Sequence, residues 1–229
     1  MKAPVTGRGI KMKQPFYKNW LSYFTEVPIV STGSDYNEVL DLFLVKGRYQ
    51  LCTEKAIYSY GDKYDNFANS FRQIDLEGVN DVLVLGLGLA SIPYILEKIH
   101  HKNFVYTGVE IDEEVVYLAS KYVLDELKSE VHVYTTDAYT FLCMNESRYD
   151  LICMDVFVDD LIPEELESLD FTEMLRDTVA PGGKLIYNRL AFTAEDKKGT
   201  ESYFRDVFCK VFPKGRIYET GGNRMLINS

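Results

Sequence analysis

The stretch that most constrains this chain is DVLVLGLGLAS, Asp81 to Ser91. Val82, Leu83, Val84 and Leu85 form a short unbroken apolar run, the pattern of a strand buried on both faces of a parallel sheet. Gly86 and Gly88 follow at once, and an apolar helical period through Ile92, Ile95 and Leu96 comes next. Strand, glycine turn and helix in that order bring backbone N–H groups to a helix N-terminus, where a polar or anionic ligand can sit against the main chain.

From there to the C-terminus the chain alternates strand and helix. Strands are expected at 81–86, 104–110, 131–135, 149–155 and 184–190, and helices near 90–100, 113–127, 137–144, 163–179 and 197–211. Such alternation implies right-handed crossovers and a parallel sheet with helices on both faces. The end differs: Gly215 to Glu219 and Arg224 to Asn228 flank Thr220-Gly221-Gly222-Asn223, which predicts a C-terminal hairpin with one antiparallel strand. The fold class is therefore α/β, a doubly wound, mostly parallel seven-stranded sheet, in a domain spanning 76–229.

Residues 1–75 read as a separate N-terminal unit. Residues 1 to about 15 have no hydrophobic period and predict a flexible arm, and the aromatics of Phe16 to Ile29 a short helix packed on the body. Ser31 to Asn37 is a turn cluster. Val39 to Val45 and Arg48 to Thr53 form a hairpin across Lys46-Gly47, Ala56 to Tyr60 adds a third strand, and Asp62 to Ile74 has helical spacing.

A net charge of −10 argues against a nucleic-acid partner held by phosphate contacts. No apolar run reaches the roughly 18 residues of a membrane span, and the basic N-terminus lacks the apolar stretch of a signal peptide, so a cytoplasmic protein is expected. Cys52, Cys143, Cys153 and Cys209 are scattered and expected to be buried free thiols. His100, His101 and His132 lack metal-ligand spacing, and no metal is expected.

Three acids stand at matching places. Glu110 ends the second strand, where a carboxylate can accept from both hydroxyls of a ribose. Asp137, followed by Ala138, lies just past the third strand and could serve as a helix cap alone. Asp155 ends the fourth, with Asp159 and Asp160 in the loop before Pro163. Together with the glycines they form a row along the carboxyl edge of the sheet. Pro163 with Glu164 and Glu165 reads as the opening of the next helix.

The order VLVLGLGLAS, VEID, TDAYTFL, YDLICMDVF and LRDTVAPGGKLIYNRL resembles the class I S-adenosylmethionine-dependent transferases, and more closely their spermidine synthase-like branch. Val84 is apolar where most methyltransferases carry an acid, Asp155 opens a loop like the branch's gate loop, and a small β-rich segment ending in a helix with Tyr64 precedes the sheet. The resemblance implies S-adenosylmethionine, or its decarboxylated form, bound by Gly86, Gly88, Leu89, Glu110, Asp137 and Ala138. It implies Asp155 and Tyr64 as the catalytic pair, with Tyr58, Asp159 and Asp160 facing a small substrate that can be cationic, and it suggests a homodimer.

The chain also departs from that branch. Leu89 stands where its GGGDGG-like turn carries an amine-binding Asp, Tyr58 where it has a glutamine, and Asp65-Asn66 follows Tyr64 in place of an acid. Losing the amine-binding Asp favours methyl transfer to a small molecule over aminopropyl transfer, which is the alternative. A silent cofactor-binding scaffold and an NAD-dependent dehydrogenase are weaker readings, the latter because Ser91 stands where Gly or Ala is wanted.

Overall fold

The computed structural model describes residues 5–6, 14–54, 57–157 and 161–228. Most of the expected arm, Ala56, Asp159 and Asp160 lie outside the described residues.

In chain order the elements are β1 (Val5–Thr6), α1 (Phe16–Leu21), β2 (Val27–Thr32), β3 (Leu40–Val45), β4 (Arg48–Cys52), β5 (Ile57–Ser59), α2 (Asp65–Ser70), β6 (Asp81–Leu85), α3 (Ser91–Lys98) and β7 (Val105–Glu110). Then come α4 (Glu113–Tyr122), β8 (Glu130–Thr135), α5 (Ala138–Met144), β9 (Tyr149–Met154), α6 (Leu169–Thr178), β10 (Val179–Leu190), α7 (Ala194–Tyr203), β11 (Arg216–Thr220) and β12 (Asn223–Ile227).

The large sheet runs β1-β8-β7-β6-β9-β10-β12-β11. Strands β8, β7, β6, β9 and β10 are parallel, and β12 runs antiparallel between β10 and β11, as the Gly-Gly-Asn hairpin predicts. The expected seven strands are all present. The eighth, β1, comes from the segment read as a free arm: Val5 and Thr6 pair with Val133 and His132 on the open edge of β8, where unpaired backbone groups invite a further strand.

The side-chain alternation of a strand divides the core. Val82 and Val84 of β6 face a cluster shared with α3, α4 and the N-terminal segment, whereas Leu83 and Leu85 face one formed with α5, α6 and α7. Being buried on both sides is what an unbroken apolar run requires.

The N-terminal strands make a second sheet, β2-β3-β4-β5, antiparallel throughout. Burial along β3 alternates, so Leu40, Leu42 and Leu44 point inward, and Leu40, Leu42 and Leu51 join the same core cluster as Val82 and Val84. Lys46 and Gly47 both have positive φ (52° and 75°), the turn whose twist matches a two-residue hairpin.

Several expectations are corrected. The segment Phe16 to Ile29 is not one packed helix: α1 buries no residue, Phe16 is 85% and Trp20 60% exposed, and Val27–Thr32 is a strand. The helix expected at 163–179 is interrupted. Glu164–Glu167 forms a 3₁₀ turn, and Ser168 caps a fresh start by accepting from the Phe171 N–H at 3.1 Å, which redirects the chain before α6. The helix over 62–74 likewise breaks into Gly61–Lys63, α2 and Phe71–Gln73. The strand expected from 184 starts at Val179, and Cys143 is exposed while Cys153 is buried. All four cysteines are free.

Candidate functional site

The strand order reverses between β6 and β9, and in an open α/β sheet the crevice for a ligand lies beyond the carboxyl ends of the strands at that point. Gly86 ends β6 there. Its N–H and that of Leu87 both donate to the Val109 carbonyl at 2.9 Å, which bends the chain out of β6 across the end of β7. Gly86 has φ +83°, and a Cβ on it would fall 2.2 Å from the Asp155 carbonyl oxygen. Only glycine fits between the ends of β6 and β9.

Two chambers open on this edge. The larger, about 220 Å³, is bounded by Gly86, Gly88, Ser59, Ser91, Tyr58, Tyr64, Asp155 and Phe157, with Asn37, Asn66, Asn188 and Asn223 around it. The smaller, about 80 Å³, is bounded by Glu110, Ile111, Asp137, Ala138, Pro163, Glu165 and Leu166. Tyr58, Gly86, Asp155 and Phe157 line both.

Glu110 is buried at the end of β7. It accepts from the Gly88 N–H at 3.0 Å, the Asp112 N–H at 3.2 Å and the Tyr58 hydroxyl at 3.4 Å. Burial raises its pKa, and the backbone donors of Gly88, Asp112 and Ile111 oppose that rise. Burial also raises the Tyr58 hydroxyl well above its ordinary value, and the Glu110 charge adds to the effect. Tyr58 therefore stays a neutral donor. Asp137 caps α5, accepting from the Thr140 N–H at 2.7 Å, and also lines the smaller chamber, so capping and pocket-lining coexist in one side chain.

Asp155 follows β9, its N–H bonded to the Leu85 carbonyl at 2.8 Å. Its Oδ1 accepts from the Tyr64 hydroxyl at 3.0 Å and from Asn188 Nδ2 at 2.8 Å. Burial pushes its pKa up to about 6, against the lowering effect of those two donors. The Tyr64 hydroxyl is itself raised well above its usual value by burial and by the Asp155 charge, so it too remains protonated.

Not every expected residue reaches the site. Leu89 is buried in the core on the α3 side and lines neither chamber; its N–H donates to Ser59 Oγ at 3.3 Å. Ser59 and Ser91, in hydrogen bond at 2.6 Å, occupy the chamber wall beside it.

Further contributors were not foreseen. Asn188 orients the carboxylate, and its own Oδ1 accepts from Asn223 Nδ2 at 2.8 Å. A lone asparagine in the apolar run KLIYNRL was the available signal. Asp112 is buried and caps α4 by accepting from the Glu114 N–H at 2.9 Å. Its Oδ2 accepts from Ser34 Oγ at 2.5 Å and Asn37 Nδ2 at 2.9 Å, tying the loop between β2 and β3 to the end of β7 and carrying Asn37 to the larger chamber. Its place before Glu113-Glu114 was a readable cap signal.

No family model matches the chain. Over 139 residues, 61% of the chain, it is 30% identical to a protein of Bifidobacterium longum (strain NCC 2705) named probable polyamine aminopropyl transferase, covering 30% of that protein. Over 150 residues, 64% of the chain, it is 27% identical to the polyamine aminopropyltransferase of Vibrio vulnificus (strain CMCP6), covering 49% of it. The chain thus spans less than half the length of these two curated relatives. Among solved structures, the spermidine synthase of Thermotoga maritima superposes with TM-score 0.64 at 16% identity, over 88% of this chain and 72% of that one. Human methyltransferase-like protein 13, in complex with SAH, does so with TM-score 0.56 at 20% identity, over 72% of this chain and 80% of that one.

The fold is that of the class I S-adenosylmethionine-dependent methyltransferases. The two curated relatives named above are polyamine aminopropyltransferases, which the chain resembles over less than two thirds of its length.

Proposed function

We propose that this protein is a transferase of the aminopropyl type, moving an aminopropyl group from decarboxylated S-adenosylmethionine to a small amine. One observation carries the reading: Asp155, held by Tyr64 and Asn188, stands on the wall common to two chambers. A nucleoside fits the smaller chamber by its chemistry. Glu110 offers a carboxylate for ribose hydroxyls, Asp137 an acceptor for an exocyclic amine, and Ile111, Pro163 and Leu166 an apolar lining for a base. When bound, the sulfonium supplies a carbon open to nucleophilic attack and a neutral thioether as leaving group.

The chain's own residues do the rest. The Gly86 turn lets a ligand approach the main chain closely, as a Cβ there would not. Tyr64 and Asn188 occupy Asp155 Oδ1 and leave Oδ2 for an incoming amine. An amine attacks only as the free base, so a nearby carboxylate that takes its proton assists the step. Phe157, lining both chambers, helps exclude water from the junction.

The names of the curated relatives favour aminopropyl transfer over the methyl transfer that the sequence put first. Methyl transfer keeps one observation on its side: Leu89 is turned into the core and offers no carboxylate for an aminopropyl ammonium. The test is incubation with each cofactor and a panel of primary amines, with the coproduct identified by mass. Methylthioadenosine from the decarboxylated cofactor is the expected product; S-adenosylhomocysteine as the sole coproduct would reverse the order of the two readings. Calorimetry with either cofactor tests the scaffold alternative, which absence of heat would favour.

A further inference from the structure

Strand β10 serves both chambers through neighbouring residues. Asn188 leaves it toward Asp155, and the alternation of a strand sends Tyr187 and Arg189 to the opposite face, among side chains of α6 and α7. There they meet the turn Glu164–Glu167, two of whose residues, Glu165 and Leu166, line the smaller chamber. The Tyr187 hydroxyl donates to the Leu166 carbonyl at 3.1 Å, and the Arg189 guanidinium pairs with the Glu167 carboxylate. Arg189 is itself held from below. It is buried, its guanidinium lies 4.3 Å from the centroid of the Tyr203 ring, and the Tyr203 hydroxyl shares a 2.9 Å hydrogen bond with Thr172 of α6.

A four-residue 3₁₀ turn does little to hold its own position. Its bonds span only three residues and are poorly aligned, as from the Leu166 N–H to the Pro163 carbonyl. A buried ion pair is also a poor source of stability, because both charges lose water to form it and an apolar residue of like volume commonly serves as well. What the pair supplies is a fixed place for Glu167, and so for Leu166 beside it.

We infer that Arg189 and Tyr187 are positioning residues for the nucleoside, holding the turn so that Pro163 and Leu166 meet the base. The inference rests on the smaller chamber being the cofactor's base site. Among the described residues that line that chamber neither appears, so both act through the turn.

The test compares the parent with Arg189→Met, which keeps the volume and removes the ion pair, and with Tyr187→Phe, which removes only a hydroxyl. Three quantities are read: the urea midpoint, amide hydrogen exchange over 163–168 in the free protein, and calorimetric affinity for methylthioadenosine. Arg189→Met is expected to keep a cooperative unfolding transition, to exchange faster at the turn and to bind about tenfold more weakly; Tyr187→Phe should bind about threefold more weakly. Arg189→Lys, which can still pair with Glu167, should recover most of the affinity. In turnover the loss should fall on KM for the cofactor, and the acid limb set by Asp155 should stay in place, since Asn188 is untouched. Undiminished affinity in both variants overturns the inference, as does exchange at the turn no faster than the parent's. Exchange that quickens equally across β6 to β10 marks general loosening and overturns it too. Where Arg189→Met does not fold, the milder Tyr187→Phe decides. A parent that binds no methylthioadenosine overturns the assignment of the chamber, and this inference with it, before any variant is compared.

Discussion

The two chambers share a wall but are built on different chemistry. The smaller is made from the ends of β7 and β8 and the turn before α6, and besides the shared Asp155 holds three carboxylates of its own, Glu110, Asp137 and Glu165, beside apolar Ile111, Pro163 and Leu166. The larger draws on both sheets and on the β10–β12 pair, and its polar groups are amides and hydroxyls around the single carboxylate of Asp155. Carboxylates that accept backbone N–H bonds, as Glu110 and Asp137 do, are held in place by the elements that carry them. Asp155 is oriented instead by side chains from α2's N-terminal flank and from β10. The first chamber leans more on backbone donors, and the second on side chains brought from distant parts of the chain.

The comparison is broken most severely at the shared wall. Gly86→Ala places a Cβ against the Asp155 carbonyl at a positive φ, and should destabilise the protein by about 3 kcal/mol or more, read as a lower urea midpoint, since backbone must move to relieve the contact. If the midpoint holds, the close approach of β6 to β9 is not needed.

Asp155→Asn separates catalysis from binding. Turnover should fall by roughly 10²–10⁴ with cofactor affinity within about twofold, because Asn cannot take a proton but still accepts from Tyr64 and Asn188. Stability gives a second readout. A carboxyl raised from 3.8 to about 6 binds its proton more tightly folded than unfolded, so the native protein loses stability as pH rises from about 4 to about 6, and the loss persists above that. The Asn variant should lack this dependence, and at pH 8 be no less stable than the parent. Equal losses in turnover and affinity would make Asp155 a structural residue.

Glu110→Gln acts on the other chamber alone. Cofactor affinity should weaken by about 1–3 kcal/mol in calorimetry, the loss of a charged acceptor for ribose hydroxyls, with amine binding to the loaded protein unchanged. An unaltered cofactor affinity would take Glu110 out of the site.

The smallest effect is also the most specific. Turnover should decline below about pH 6 as Asp155 becomes protonated. Asn188→Ala removes a donor that holds that value down, so the acid limb should move to higher pH by roughly half to one unit, whereas a merely structural role would lower the rate without moving the limb.

The row Gly86, Glu110, Asp137 and Asp155 was legible because an unbroken apolar run followed by a turn marks where a parallel strand ends, and parallel strands finish on one edge. The Lys46-Gly47 hairpin and the final antiparallel pair were legible for a similar local reason. Leu89 was misplaced because adjacency to Gly88 says nothing about which way a side chain leaves a left-handed turn; Ala90, at φ 58°, carries the chain into α3 with Leu89 facing the core. The aromatic helix was misjudged because apolar content in a short segment does not say whether a partner face exists for it. In the described chain α1 has none.

What the sequence by itself determined is the set of strand ends, since burial on both faces, glycine turns and helix caps are written in neighbouring residues. Which strands became neighbours, and hence that Asn188 would reach Asp155, that Asn223 would hold Asn188, and that Asp112 would draw in Ser34 and Asn37, was decided only by the tertiary structure. Those contacts join residues 33 to 78 positions apart, and a hydrogen bond at that separation depends on how whole elements pack rather than on any local pattern.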